Sequence, residues 1–225
     1  FYPESERAVL TGAPRIRSGE TIVDGVRMEL EPLHSKIIGN DENPVVVSLP
    51  AMPDMGFNPS IGLPSDNDTD AQSGAESEAP VAVKPTIIKS QVLELFEAES
   101  SSRFEFRQQV EVLGTNLMAT CESMDVFLKE KPEDDAAGMQ RIEATQNVRI
   151  QQTGRVASAE KAIILPEEGK LILEEKAVVE DDRGRVSGHR LTLLKGERRA
   201  IVEGGGADGE RARITLPEIP SKEKE

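Results

Sequence analysis

The side chains of this 225-residue chain that could do chemistry are few and far apart. His34 and His189 are the two histidines. A metal site needs three or four ligands at close spacing, and neither histidine has a second histidine or a cysteine near it, so both read as surface histidines. Cys121 is the single cysteine, which excludes an internal disulfide. As a nucleophile it would need a partnered base; within "NLMATCESMDVFLKE" it reads as a half-buried strand residue. The acid pairs of "KEKPEDDAAG" (129–138) and "VEDDRG" (179–184) have the residue types of glycoside hydrolysis or calcium binding. Both lie in turn-like sequence, where Asp and Gly are favoured for backbone reasons, and the turn reading is preferred. "GGGADG" (204–209) lacks the Lys-Ser/Thr and the following helix of a phosphate loop, and reads as a flexible hairpin tip. No catalytic constellation, metal or cofactor is expected.

What recurs instead is aliphatic alternation. Val148 and Ile150 share one strand face, Leu171 and Leu173 and then Leu191 and Leu193 present similar pairs, and Arg149, Glu174 and Thr192 fall on the opposite face. Such a stripe is most often plain core, and it can also line a ligand groove. Hydrophobic residues make up 37% of the chain and aromatics 3%, with no Trp, which suits thin strand-built layers of Val, Ile and Leu. The formal charge of −14 disfavours binding to a nucleic-acid backbone, which relies on Lys and Arg neutralising phosphates. No stretch approaches the roughly 18 apolar residues of a membrane-spanning helix. The first residues, "FYPESERAVLTG", read as the middle of a strand repeat, so a signal peptide is expected upstream of Phe1.

The elements that carry these side chains read as short strands. Residues 1–52 hold "RAVLTG", "PRIRSG", "TIVDG", "RMELE", "SKIIG" and "PVVVSLP", separated by Gly, Pro, Asn or Asp. Residues 53–85 are rich in Ser, Asp, Pro, Gly and Ala and read as a disordered linker, because they cannot bury enough surface to offset their ordering entropy. Strand signals resume at Thr86 and run to Ile219, followed by a charged tail, 220–225. "SQVLELFEAE" could be a helix, but its neighbours favour a strand. The chain is expected to be all-β.

The strands repeat. Gly154 and Gly184 are 30 residues apart, as are Asn147 and Ala177, and each unit runs strand, turn, strand, Gly-containing turn. A single hairpin of this kind is marginal in water and must stack on its neighbours. A longer echo links Val23, Gly25, Arg27, Met28 and Leu30 to Val186, Gly188, Arg190, Leu191 and Leu193. Residues 1–52 therefore read as the C-terminal half of a first domain, and 86–219 as a complete second copy. The small residues Gly25, Ala159 and Gly188 read either as bends where the sheet curls or as ordinary strand interior.

"RIEATQNVRIQQTGRVASAEKAIILPEEGKLIL" resembles the repeat of the LptA/OstA family of lipopolysaccharide-transport proteins. The corresponding positions are Ile142, Ala144, Gln146, Asn147 and Val148; Ser158 to Ala162; Pro166 and Gly169; and Leu171 and Leu173. Gln146 stands where that pattern has glycine. The resemblance implies a folded-over antiparallel sheet, an open jelly roll, whose apolar groove holds acyl chains. The groove candidates are Val112, Leu117, Ile142, Val148, Ile150, Val156 and Ile163 in the first strands. Leu171, Leu173, Val179, Val186, Leu191, Leu193, Ile201 and Ile214 follow.

The resemblance also implies a non-enzymatic role in the periplasm: binding and transfer of lipopolysaccharide or a related acylated lipid, in a bridge to the outer membrane. Open sheet edges would pair end to end with other OstA-like domains. The rival reading is a scaffold that assembles by strand-edge pairing and carries no lipid.

Overall fold

The computed structural model describes residues 6–49, 84–98, 101–129, 139–152, 154–182, 184–194, 200–205 and 211–216. The expected linker, apart from Lys84 and Pro85, and the expected tail lie outside the described residues. So do the acids of 130–138 and the turn at Lys195-Gly196-Glu197.

The chain is all-β. Its strands are β1 (Ala8–Thr11), β2 (Arg15–Ser18), β3 (Thr21–Asp24), β4 (Arg27–Leu30), β5 (His34–Ile38), β6 (Val45–Leu49), β7 (Thr86–Ser90) and β8 (Val92–Ala98). They continue with β9 (Ser101–Leu113), β10 (Met118–Lys129), β11 (Met139–Gln152), β12 (Arg155–Leu165), β13 (Lys170–Asp181), β14 (Gly184–Leu194), β15 (Ala200–Glu203) and β16 (Arg213–Thr215). "SQVLELFEAE" contains β8 and is extended, as its neighbours demand.

All sixteen strands belong to one antiparallel sheet. The short strands are halves of long rows. β5 and β6 run in series against β8 and β7, and β15 and β16 run in series against the two ends of β14. Most of "GGGADG", residues 206–209, lies outside the described residues. The strands on either side of it, β15 and β16, pair with β14 and not with each other.

Each long row has a register shift near its middle, and these shifts line up; β10 and β11 have a further one at Phe127/Leu128. Register shifts fall at Cys121/Ser123, Thr145/Val148, Ser158/Lys161 and Glu174/Ala177. At these shifts β9, β11 and β13 each supply one residue more than the strand beside them, which is the arrangement of a β-bulge and bends a strand. The extra backbone is taken up by consecutive left-handed residues, Gln108-Gln109, Gln146-Asn147 and Glu175-Lys176, with φ between 53° and 67°. In the first row the same place is held by Gly12 and Ala13. The aligned bends crease the sheet into two flaps. One holds β2, β3, β6, β7, β16 and the segments 110–113, 118–121, 148–152, 155–159, 177–181 and 184–188. The other holds β1, β4, β5, β8, β15 and the remaining halves.

Period-two alternation gives the folded sheet an apolar inner face. Val47, Ile88, Val112, Val148 and Val179 come from the first flap and Met28, Leu93, Phe106, Leu173 and Leu191 from the second, all in one cluster and each 5% exposed or less. The outer face is polar and paired across strands: Lys36 to Glu94 at 2.7 Å, Lys89 to Glu111 at 3.0 Å, Arg103 to Asp125 at 2.9 Å. Exposed pairs like these stabilise little individually, but cross-strand opposite charges favour this register.

The doubled motif occupies equivalent positions. Val23 faces Val47 and Met28 faces Ile37; Val186 faces Ile214 and Leu191 faces Val202. A Cβ on Gly25 would meet Ile37 Cγ2 at 2.5 Å, and one on Gly188 would meet Val202 Cγ1 and the Glu203 carbonyl at 2.9 Å. Both glycines stand beside the crease, where the neighbouring row comes too close for a side chain.

Candidate functional site

The inner face gathers most of the expected groove residues. Val112, Ile142, Val148, Ile150, Leu171, Leu173, Val179, Val186, Leu191 and Leu193 lie in the buried cluster, and Leu117 packs against it. The remaining four do not. Val156 and Ile163 alternate with the inward Ala157 and Ala162, so they point to the outer face. Ile163 pairs there with Ile172; both are buried, and neither belongs to the inner cluster. Ile201 faces Thr192, is 38% exposed and is also outward. Ile214 shares the inward side with Val186 but sits in the terminal row and is 62% exposed. In each case hydrophobicity was read without its parity or its distance from the sheet edge.

The flaps meet at a mouth opposite the crease. A recess there is lined by Leu117, Ile150, Gln152, Arg155 and Ala157 from one flap and Ile164, Leu171 and Leu193 from the other. It is a cavity of about 20 Å³, room for the centre of about one water-sized sphere. At this recess the interior is apolar and narrow, tighter than the acyl-chain groove that the family resemblance implied. Admitting hydrocarbon requires the flaps to part.

Gln152, Arg155, Ala157 and Ile164 are recess residues that the sequence reading did not single out. The signal was available. Counting by twos from Ala159 and Val179 gives Ala157 and Arg155 on β12, and Asp181 on β13, all inward. Arg155 Nη2 contacts Asp181 Oδ2 at 3.2 Å, and the two side chains are 12% and 4% exposed. Asp181, read as a turn residue, is in fact the last inward position of a strand. Asp182 follows in the turn.

The other chemistry candidates fall elsewhere. His34 stacks on Phe96 with ring centroids 4.7 Å apart on the outer face, and His189 sits at the crease of β14. Among the described residues no three His, Cys, Asp or Glu side chains converge as metal ligands. Cys121 is inward and 7% exposed. Burial, with the Glu122 charge adding to it, pushes its thiol up to about 12, so it is protonated at neutral pH and a poor nucleophile.

A creased antiparallel sheet with an aliphatic interior is the architecture that the repeat resemblance implied, and a family comparison decides the point. Residues 87–198 match the family described as LptA/(LptD N-terminal domain) LPS transport protein. The chain carries a domain of that family. The LptA/LptD N-terminal domain is a lipid-transport domain and not an enzyme. The matched span covers β7 to β14, while β1 to β6 lie before it and extend the same sheet through the pairs β5 with β8 and β6 with β7.

A solved structure is also similar: LptH, the LptA-homologous periplasmic component of the lipopolysaccharide transport device of Pseudomonas aeruginosa. It is 15% identical, with a TM-score of 0.42, over 60% of this chain and 96% of LptH. No curated protein matches the chain.

Proposed function

We propose that this protein carries lipopolysaccharide, or a closely related acylated lipid, through the periplasm with the acyl chains between the two flaps. The supporting observation is the inner face itself: one aliphatic surface runs from Met28 to Leu193 across all the rows of a sheet that bears a lipopolysaccharide-transport domain. Burying a methylene is worth about 0.8 kcal/mol, so a chain of ten gains about 8 kcal/mol, which works against the cost of parting the flaps at the mouth. Since most of the interior is apolar along its length, a chain can shift along it with little change in free energy. Residues 1–52, read as the second half of another copy, lengthen that path by three rows. The terminal rows, β1–β2 and β15–β16, carry the edges by which further domains of this type add strands.

The small cavity favours a second reading, in which the narrow interior is only core and the edges serve a scaffold without cargo. One experiment separates the two. A photo-crosslinking amino acid is placed at Leu171 or Leu193, which face inward at the recess, and at Ile172 or Thr192, which face outward on the same strands. On illumination with lipopolysaccharide, adducts at the inward pair alone support transport. No adduct anywhere, or equal adducts on both faces, supports the scaffold.

A further inference from the structure

We propose that Arg155, held by Asp181 at the mouth of the recess, anchors the phosphate of a phosphorylated, acylated lipid. This deepens the transport reading and rests on it.

On β11, β12 and β13 the inward positions of the first flap run from small or aliphatic residues beside the crease to polar ones at the rim. On β12 the sequence inward is Ala159, Ala157, Arg155; on β13 it is Ala177, Val179, Asp181. Gln152 closes the row on β11, after Val148 and Ile150. The opposite rim is aliphatic, with Ile164, Leu171 and Leu193 facing the same recess.

Position makes the ion pair unusual here. Among the described residues the other ion pairs leave their side chains between 17% and 75% exposed, as in Arg107 and Glu105 at 31% and 17% and Lys176 and Glu160 at 75% and 35%. Arg155 and Asp181 are at 12% and 4%. Desolvating two charges is costly, and an aliphatic pair at these register positions would serve the fold at least as well. The pair therefore calls for a role besides stability.

The recess supplies that role. Arg155 is the one charged side chain among the residues that line it, in a chain of net charge −14. A guanidinium presents five N–H donors in a planar fork, which lets it serve a carboxylate and phosphate oxygens together. Asp181 orients the fork. Next to it, Ile150, Leu171 and Leu193 offer hydrocarbon contact, and Gln152 adds an amide that can meet a sugar hydroxyl. A cationic group at the lip of an aliphatic slot matches a molecule with an anionic head and hydrocarbon tails. When the flaps part, the tails enter while the phosphate stays at Arg155.

The test compares detergent-solubilised lipid A bearing its phosphates with the same lipid after phosphatase treatment, titrated against the full chain. Arg155→Met alone would remove an ion-pair partner from a buried carboxylate, so the variant used is the double R155M/D181L, with Asp181→Asn as its partner. The wild type is expected to bind the phosphorylated lipid about tenfold more tightly than the dephosphorylated one. R155M/D181L keeps its circular dichroism spectrum and melting transition and binds both lipids alike. Asp181→Asn keeps the preference. Binding of both lipids without preference in the wild type, or a preference that survives in R155M/D181L, overturns the anchor and leaves transport standing. Competition by inorganic phosphate at low millimolar concentration without any lipid preference assigns a free-anion site and also overturns it. No binding of either lipid removes the transport reading and the anchor together.

Discussion

Leu171 on β13 lies directly opposite Leu193 on β14, and the two are 3% and 2% exposed at the point where the flaps meet. One residue further along, Ile172 opposite Thr192 faces the other way. Truncating Leu171 or Leu193 to alanine therefore removes contacts to both flaps and is expected to cost about 2–5 kcal/mol. Ile201→Ala, on the outer face and 38% exposed, is expected to cost less than about 1 kcal/mol. Denaturant midpoints at constant slope measure both, and equal losses would refute the assignment of faces.

Gln146 holds φ at 67° in the crease of β11, in the position where the family repeat places glycine. A left-handed non-glycine residue costs about 1–2 kcal/mol, and glycine gives back about 0.5–1 kcal/mol through the unfolded chain. Gln146→Gly is thus expected to stabilise the protein by about 0.5–1 kcal/mol, read as a rise in melting temperature. A fall would mean that the Gln146 side chain contributes more than its backbone conformation costs.

Gly188→Val drives a side chain into the Glu203 carbonyl and Val202, which belong to the terminal strand β15. The expected result is local. β15 detaches from β14, its amides exchange rapidly with solvent, and the rows from β9 to β13 keep their protection. Gly25→Val, which meets Ile37 on β5, should instead weaken the junction of β5 with β8. Hydrogen exchange resolved by mass spectrometry distinguishes the two patterns.

Glu94 joins β8 to β5 through its hydrogen bond from Lys36, and that bond, against an opposing desolvation, holds the carboxyl below its ordinary value of 4.5. A carboxyl lowered in the folded state contributes stability above 4.5 that is lost as pH falls through the folded value. Acidification below 4.5 should loosen the β5–β8 pairing. Lys36→Met should move the Glu94 titration up towards 4.5, as followed by carboxyl chemical shifts. An unchanged titration in that variant would show that Lys36 does not set it.

The strand content, the hairpin repeat and ten buried aliphatic residues of the candidate groove were legible because each depends on neighbours two residues away. Alternation fixes which side chains share a face, so Val148 with Ile150 and Leu191 with Leu193 could be paired from the sequence. The same rule was applied too loosely to Val156, Ile163 and Ile201, which are apolar but out of phase with Ala157, Ala162 and Val202. Gln108, Gln109, Glu175 and Lys176 gave no sign of the crease, since nothing in a polar pair announces a left-handed backbone. That conformation is imposed by two long strands of unequal residue count.

By itself, the amino-acid order determined that this chain forms strands, that they repeat, that one face is aliphatic, and to which family the repeat belongs. Only the tertiary structure decided that the bends align into one crease, that the two flaps face each other across a narrow apolar recess, and that the rows before residue 50 join those after residue 85 in one sheet. It also decided that Arg155 and Asp181, in neighbouring strands and 26 residues apart, share an inward rim. The physical reason is that alternation is a property of one strand, whereas a crease, a mouth and a buried ion pair depend on the register between strands. That register is set by where each bulge falls and by which rows come close enough to pair.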